Sequence, residues 1–377
     1  MSAFGIRAIS VNPVTTYELG QRATGVRFTT QHPGGCAEFS CLIPAEFGEQ
    51  LAIPPYVGYN YRVDVIDSNG YVWSGRMSYP ALVRSLQGYA WRVNARCYGV
   101  SLSDQLSTTT NLQNTQTSDA IVTILTSLAP DIAATSITAT GFTVSNTAAV
   151  NLARVTPAML IAWAQRFGDS AYNPQTMTVY PDTDGTIRLT FGPRATSADV
   201  IGALSESESA EIGDEESDYA NKVTVQYNSG ASYVSVSDTT LSGQIGLVKE
   251  YAIVIPEISQ SVDATQAANA VLTAKSKLRI AASGPLVYRA GASLTLAAGT
   301  LTPIHRVRSG QIFRFTDVDP YQSSASNLAF FNSFMIAQTS YDEDAQRLTI
   351  TPESYLLYLQ RSVATVYSLI TGRHQIA

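Results

Sequence analysis

The chain has 377 residues, of which 45% are hydrophobic and only 14% charged, and its formal net charge is −6. At roughly 100 to 200 residues per domain, this length implies two to four modules with a sizeable buried interior. A charged fraction well below the roughly 25% of an ordinary soluble domain leaves much neutral surface, which suits permanent subunit contacts. An acidic balance without Lys or Arg clusters excludes a protein that grips nucleic acid through its phosphates, although such a wall still lets DNA slide past.

Tyr is the favoured aromatic, with 20 against 12 Phe and 3 Trp, and its apolar body with a polar tip suits half-buried strands and interfaces. Three cysteines, Cys36, Cys41 and Cys97, are an odd number, which excludes a small-secreted-domain disulfide framework and leaves at least one thiol free. The opening MSAFGIRAIS lacks the basic start and apolar run of a signal peptide, and no apolar run reaches a membrane-spanning length of about 18 residues. The expectation is a protein made and assembled in the cytoplasm without a membrane span, then used elsewhere as part of a particle.

From Thr24 to Ala95 the chain reads as short strands broken by turns: GVRFTT, CAEFSCLIP, YNYRVDVID, YVWSGRMSYP and YAWRVNARCYG. The turn Asp67-Ser68-Asn69-Gly70 separates two of them, and Asn-Gly favours the positive backbone angles of a tight hairpin. A closed or sandwiched β module follows from this.

Between Ser101 and Thr196 the texture changes. Thr117-Ser118-Asp119 leads into AIVTILTSLAP, with Ile121, Ile124, Leu125 and Leu128 at helical spacing and a stop at Pro130. Thr156-Pro157 offers a cap and a first-turn proline to AMLIAWAQRFG, which ends at Gly168. TMTVYP and TIRLTFG follow, joined by Asp182-Thr183-Asp184-Gly185 as a hairpin, so this part is predicted to be a small α/β unit.

Seven carboxylates (Glu206, Glu208, Glu211, Asp214, Glu215, Glu216 and Asp218) occur without a basic residue, the signature of a solvated connector. The β pattern resumes at Asn221 with KVTVQYN, SYVSVS and LVKEYAIVIP. Asp263 with Gln266 reads as a capping-box-like start to an Ala-rich helix over 263–279, with basic residues at its end. Strands are predicted at Ser293 to Leu296, Ile312 to Thr316 and Phe334 to Tyr341, and a last hairpin turns at Asp342-Glu343-Asp344 into RLTITP. Thr351-Pro352 is expected to cap a C-terminal helix whose apolar stripe, Leu356, Leu359, Val363, Val366 and Ile370, needs a partner.

Little in this pattern points to bond-making chemistry. His32, His305 and His374 are far apart, and none has a ligand-spaced neighbour. Cys36 and Cys41 are spaced too widely for C-x-x-C, and buried apolar thiols are the expectation for all three cysteines. Asp182-x-Asp184-Gly185 resembles the opening of a calcium loop, but the later carboxylates are missing. The acidic run could collect a divalent ion in a crowded assembly, and a hydrated linker is the simpler reading. No nucleophile elbow, phosphate-cradling glycine loop, zinc-protease helix or serine–lysine pair is present. A carboxylate pair in a cleft, as in a glycosidase, is not ruled out by spacing, yet Asp and Glu fall mostly in turns and the linker. The expectation is therefore no catalytic, metal or cofactor residue.

The carboxyl half carries a recognisable pattern. Ala220-Asn221-Lys222-Val223-Thr224-Val225 opens a strand, a second strand passes Tyr251, and a helix runs from Asp263 to Arg279. Val307-Arg308-Ser309-Gly310-Gln311-Ile312 then leads into a strand, and a Phe334-to-Ile350 hairpin closes the pattern. It resembles the second tube-type barrel of phage tail hub (baseplate hub) proteins, and Tyr71-Val72-Trp73-Ser74-Gly75-Arg76 is similar to a strand of the related first barrel. The resemblance implies a mainly β fold, with two related tube-type β-barrels flanking a small α/β domain. On it the chain divides into a barrel at 1–104, an α/β insert with acidic linker at 105–213, a second barrel at 214–350 and a C-terminal helix at 351–377.

The resemblance also implies a non-catalytic homotrimer at the virion tail tip. Two barrels per subunit would give a pseudo-sixfold ring that joins the tail tube and distal tail proteins to a threefold tip or fibre. Such a ring would line a channel for the tape-measure protein and for DNA ejection, without specific DNA binding. The family often continues into a lysozyme, peptidase or fibre region, so any host-wall enzyme is expected to be a separate protein. A second reading is a receptor- or glycan-binding tail protein with Trp73, Trp91 and Trp163 as stacking platforms. A third, the related spike of a contractile secretion system, would need a β-helical needle that has no counterpart in the sequence.

Overall fold

A computed structural model describes residues 3–317 and 333–353, apart from 47–48, 50–52, 79, 86–87, 108, 112–114, 144–150, 154, 196, 210–211, 215–218, 241, 243–245, 277–279 and 283. The body of the expected C-terminal helix, His374 and the expected end of the 263–279 helix lie outside the described residues. The fold is mainly β with few helices.

Eight strands build the N-terminal unit: β1 (Gly5–Ile9), β2 (Thr16–Glu18), β3 (Thr24–Gln31), β4 (Gly34–Pro44), β5 (Arg62–Asp67), β6 (Gly70–Met77), β7 (Ala81–Ser85) and β8 (Gly88–Cys97). Their order is β2-β1-β5-β6-β8-β4-β3, antiparallel throughout, with β7 beside the first half of β8. Period-two alternation turns Trp91, Val93, Ala95 and Cys97 of β8 inward and leaves Arg92 and Arg96 exposed. The same alternation buries Ile6 and Ala8 of β1, which precedes the run of strands read from Thr24.

The second unit holds β9 (Thr109–Asn111), α1 (Thr117–Leu128), β10 (Ala133–Ile137), β11 (Asn151–Ala153), α2 (Pro157–Ala164), β12 (Gln175–Pro181) and β13 (Ile187–Pro193). Both helices form where their signals predict. The α1 stripe buries Ile121, Ile124 and Leu125, each worth about 1.5–3 kcal/mol of transfer free energy. Thr156 caps α2 by accepting the Met159 amide at 3.3 Å, and Pro157 occupies the first turn, where its missing N–H costs nothing. The β12–β13 hairpin turns at Asp182 to Gly185 as expected, and β10 runs parallel to β13.

The rest of the described chain forms β14 (Val200–Gly202), β15 (Ile212–Asp214), β16 (Lys222–Tyr227), β17 (Ser232–Ser237), β18 (Glu250–Ile255), α3 (Ser261–Lys275), β19 (Ile280–Ala282), β20 (Leu286–Arg289), β21 (Thr295–Leu296), β22 (Ile312–Phe315), β23 (Ser333–Asp342) and β24 (Arg347–Pro352). β23 holds the two large β units together. One of its edges takes β24; the other pairs first with β22, through Phe334 and Met335, and then with β3, from Gln338↔Gln31 to Asp342↔Arg27. Both units therefore belong to one continuous sheet. A short parallel contact of β4 with β12 adds the α/β unit to it.

Four expectations need correction. The strands β16, β17 and β18 pair only with one another among the described residues, and α3 covers one face of their sheet. They leave the second β unit between β15 and β19, which pair antiparallel as a stem. The helix α3 begins at Ser261 rather than at Asp263, which is buried in the first turn; Gln266 donates instead to the Phe167 and Asp169 carbonyls at 2.9 and 2.6 Å. Part of the supposed linker is anchored: the Glu208 amide donates to Val287 at 2.8 Å, and residues 212–214 form β15. Thr351 and Pro352 continue β24 against β23 instead of capping a helix, because the strand alternation through RLTITP persists to the last ladder position.

Candidate functional site: the junction of the three units

The run His305 to Ile312, whose Val307-to-Ile312 part carried the resemblance from sequence, sits where the units meet. A short 3-10 turn, Ile304–Arg306, presents His305 and Arg306 to the β5–β6 hairpin of the N-terminal unit. Arg306 grips Asp67 with Nε at 2.7 Å and with Nη2, and also reaches the Gly70 carbonyl at 3.2 Å. His305 Nε2 lies 2.8 Å from the same carboxylate, and its ring stands edge-on to Phe4 at 5.0 Å. Burial alone would raise the Asp67 pKa, but hydrogen bonds from Arg306, His305 and the Asn69 amide outweigh it and hold the carboxyl at about 2. Burial pulls the His305 pKa down, against the opposing pull of Asp67.

The next residues reach two more elements. Arg308 donates to the Tyr71 and Val72 carbonyls of β6 at 3.0 and 3.3 Å and lies over the Tyr180 ring of β12 at 4.8 Å. The Tyr180 hydroxyl reaches the Ser309 carbonyl at 2.9 Å, and burial pushes its pKa up. Ser309 donates its amide to Thr30 Oγ1 at 2.8 Å, and Thr30 shares a 2.6 Å bond with Thr339 of β23. Gly310 follows with φ +85°, and a Cβ there would stand 2.8 Å from Thr178 Cγ2 and 3.2 Å from His32 Cδ2. Only glycine suits both that backbone angle and that approach.

His32, at the end of the β3 ladder, completes the junction. Its Nδ1 lies 3.2 Å from Glu353 Oε1 and its Nε2 bonds Thr176, while Arg194 reaches Glu353 at 3.0 Å. The side chains come from the N-terminal unit, the α/β unit and the end of β24. Two of the three histidines thus lie at joints between units, which their sequence neighbourhoods did not reveal.

The other singled-out residues have structural surroundings. Cys36, Cys41 and Cys97 are buried and free, and burial raises the first two to about 11 and about 12. Cys36 and Cys41 share the extended β4, where a rise of about 3.3 Å per residue puts their Cα atoms beyond the roughly 7 Å limit for a disulfide. Asp182 and Asp184 face Arg188 at 2.6 and 3.8 Å. Glu208 pairs with Arg289 and Arg347, and Glu206 accepts the Ser293 amide. Among the described residues, no three His, Cys, Asp or Glu side chains are grouped to hold a metal ion. Trp73, Trp91 and Trp163 are 0%, 7% and 2% exposed, so none is a stacking platform for a glycan. What the site does is mechanical: a dense set of charge-assisted and backbone-directed bonds locks three units into one body.

No protein-family model and no curated protein sequence matches the chain. Solved structures do match. The tail protein from Neisseria meningitidis MC58 aligns over 92% of this chain and 95% of its own, at 11% identity and a TM-score of 0.57. The 43 kDa tail protein of prophage MuSo2 from Shewanella oneidensis aligns over 92% and 96%, at 14% identity and 0.52. Prophage tail protein gp18 from Listeria monocytogenes EGD-e aligns over 97% and 99%, at 10% identity and 0.53. The chain has the fold of phage tail proteins over nearly its whole length.

Proposed function

We propose that this chain is a non-catalytic virion protein that forms the trimeric hub of a phage tail tip. The observation that carries the reading is the single sheet through β3, β23 and β24, which fuses two β units side by side in a chain that shares the fold of tail proteins over nearly its whole length. Two such units per subunit give a threefold ring six β units. That number matches a sixfold tail tube on one side and a threefold tip or fibre on the other. The Asp67–Arg306 and Arg308–Tyr180 contacts hold the units at a constant relative angle, as a ring that must match two symmetries requires.

In this role the ring joins tube and distal tail proteins to the tip, and its channel passes the tape-measure protein and DNA. The net charge of −6 favours passage over retention of the polyanion. Electron-microscopic class averages of the purified protein, alone and mixed with its tube protein, test this. Threefold rings with an open centre are expected, and compact monomers in both samples would overturn it.

A further inference from the structure

Between α2 and the N-terminal unit lies a cleft with a cavity of about 400 Å³, within the roughly 300–1,000 Å³ range of binding pockets. One wall is a face of α2 continued into the turn after it: Ala158, Ile161, Ala162 and then Gln165 line it, at the i, i+3, i+4, i+7 spacing of a single helical stripe. The opposite wall is Pro33, Cys36, Cys97 and Leu102, and Val100 stands at the rim, 48% exposed. Small alanines on α2 and a largely apolar far wall, with Glu38 and Arg96 also lining the cleft, suit one or two turns of an amphipathic helix.

The described chain ends beside this groove. Glu353 is held by His32 and Arg194 at 3.2 and 3.0 Å. Gln31 and Pro33, the sequence neighbours of His32, both line the cleft, as does Met177, which follows the Thr176 that bonds His32. The 24 residues that follow, 354–377, begin SYLLYLQRSVATVYSLI, whose one charge is Arg361 and whose Leu356, Leu359, Val363, Val366 and Ile370 repeat with helical spacing. We propose that this C-terminal segment docks its apolar stripe into the α2 cleft of its own chain. A tethered segment meets its groove at about millimolar effective concentration, which favours the same chain over a second copy.

The test uses full-length protein. In an Ala162→Cys/Leu359→Cys variant, mild oxidation at pH 8 is expected to form a disulfide within one chain, with a yield constant over about a hundredfold dilution, as tethering requires. Cys36 and Cys97 line the same cleft, so the pair is built on a Cys36→Ala/Cys97→Ala background, whereas Cys41, buried with a raised pKa, does not compete. In parallel, hydrogen exchange compares wild type with Leu356→Asp/Leu359→Asp. The α2 amides of the variant are expected to exchange about tenfold faster while β12 and β13 keep their protection, which identifies local opening rather than unfolding. Absence of the disulfide together with unchanged α2 exchange would overturn the proposal. So would a disulfide that appears only between chains, because a second copy would then be the occupant.

Discussion

The Asp67 cluster offers the sharpest test of how the two β units are locked. Replacing Asp67 with Asn keeps the side chain's size but removes the charge that Arg306 and His305 grip. A carboxyl held at about 2 rather than 3.8 corresponds to roughly 2 kcal/mol of stabilisation at neutral pH. Water reaches the partners, 18% exposed for His305 and 21% for Arg306, which discounts the figure to about 1–2 kcal/mol. Because the folded value lies below the unfolded one, this contribution is complete above about pH 4 and disappears as the pH falls towards 2. Urea unfolding of wild type and Asp67→Asn, followed by the fluorescence of the buried tryptophans, is therefore expected to show a deficit of about 1–2 kcal/mol at pH 7 that shrinks steadily below pH 4. A variant as stable as wild type at pH 7, or a deficit of the same size at pH 2, would refute the account of the junction as an ionic lock.

Three further outcomes follow from the same geometry. Gly310→Ala places a Cβ at φ +85° and 2.8 Å from Thr178, so a loss of about 1–3 kcal/mol or more is expected in thermal unfolding; a neutral effect would mean that the turn adapts freely. Trp73→Ala removes a side chain with no exposure and should cost about 3–5 kcal/mol, readable as a lower urea midpoint, and a surface role for Trp73 would predict almost none. The buried thiols Cys36 and Cys41, raised to about 11 and about 12, should resist iodoacetamide at pH 8 in the native protein and react promptly in urea. Rapid native labelling would contradict their burial.

The local features were legible in the sequence because their causes are local. Thr156 and Pro157 start α2, Pro130 follows α1, and the Asp182-to-Gly185 turn joins β12 to β13; each rests on a cap, a missing N–H or a turn preference within a few residues. Alternation likewise marked the strands of the first unit, and the run from Val307 to Ile312 drew notice by its resemblance to a strand entry of tail hub proteins. Where only local patterns were available, the start of α3 was misplaced, because Asp263 and Gln266 match a capping box in isolation. In the structure Gln266 bonds the Phe167 and Asp169 carbonyls, 99 and 97 residues away in sequence.

Tertiary structure alone decided the rest. The charge and Tyr content, the free thiols and the succession of strands and helices were already fixed by residue identity and spacing. That β23 takes β3 as its partner was not, nor that Asp67 meets Arg306 from 239 residues away. An edge strand presents the same row of amides and carbonyls whatever its neighbour, and an aspartate in a hairpin turn reads as a turn former. Which strand fills that edge, and which cation finds that carboxylate, depend on surfaces that exist only once the units have folded against each other.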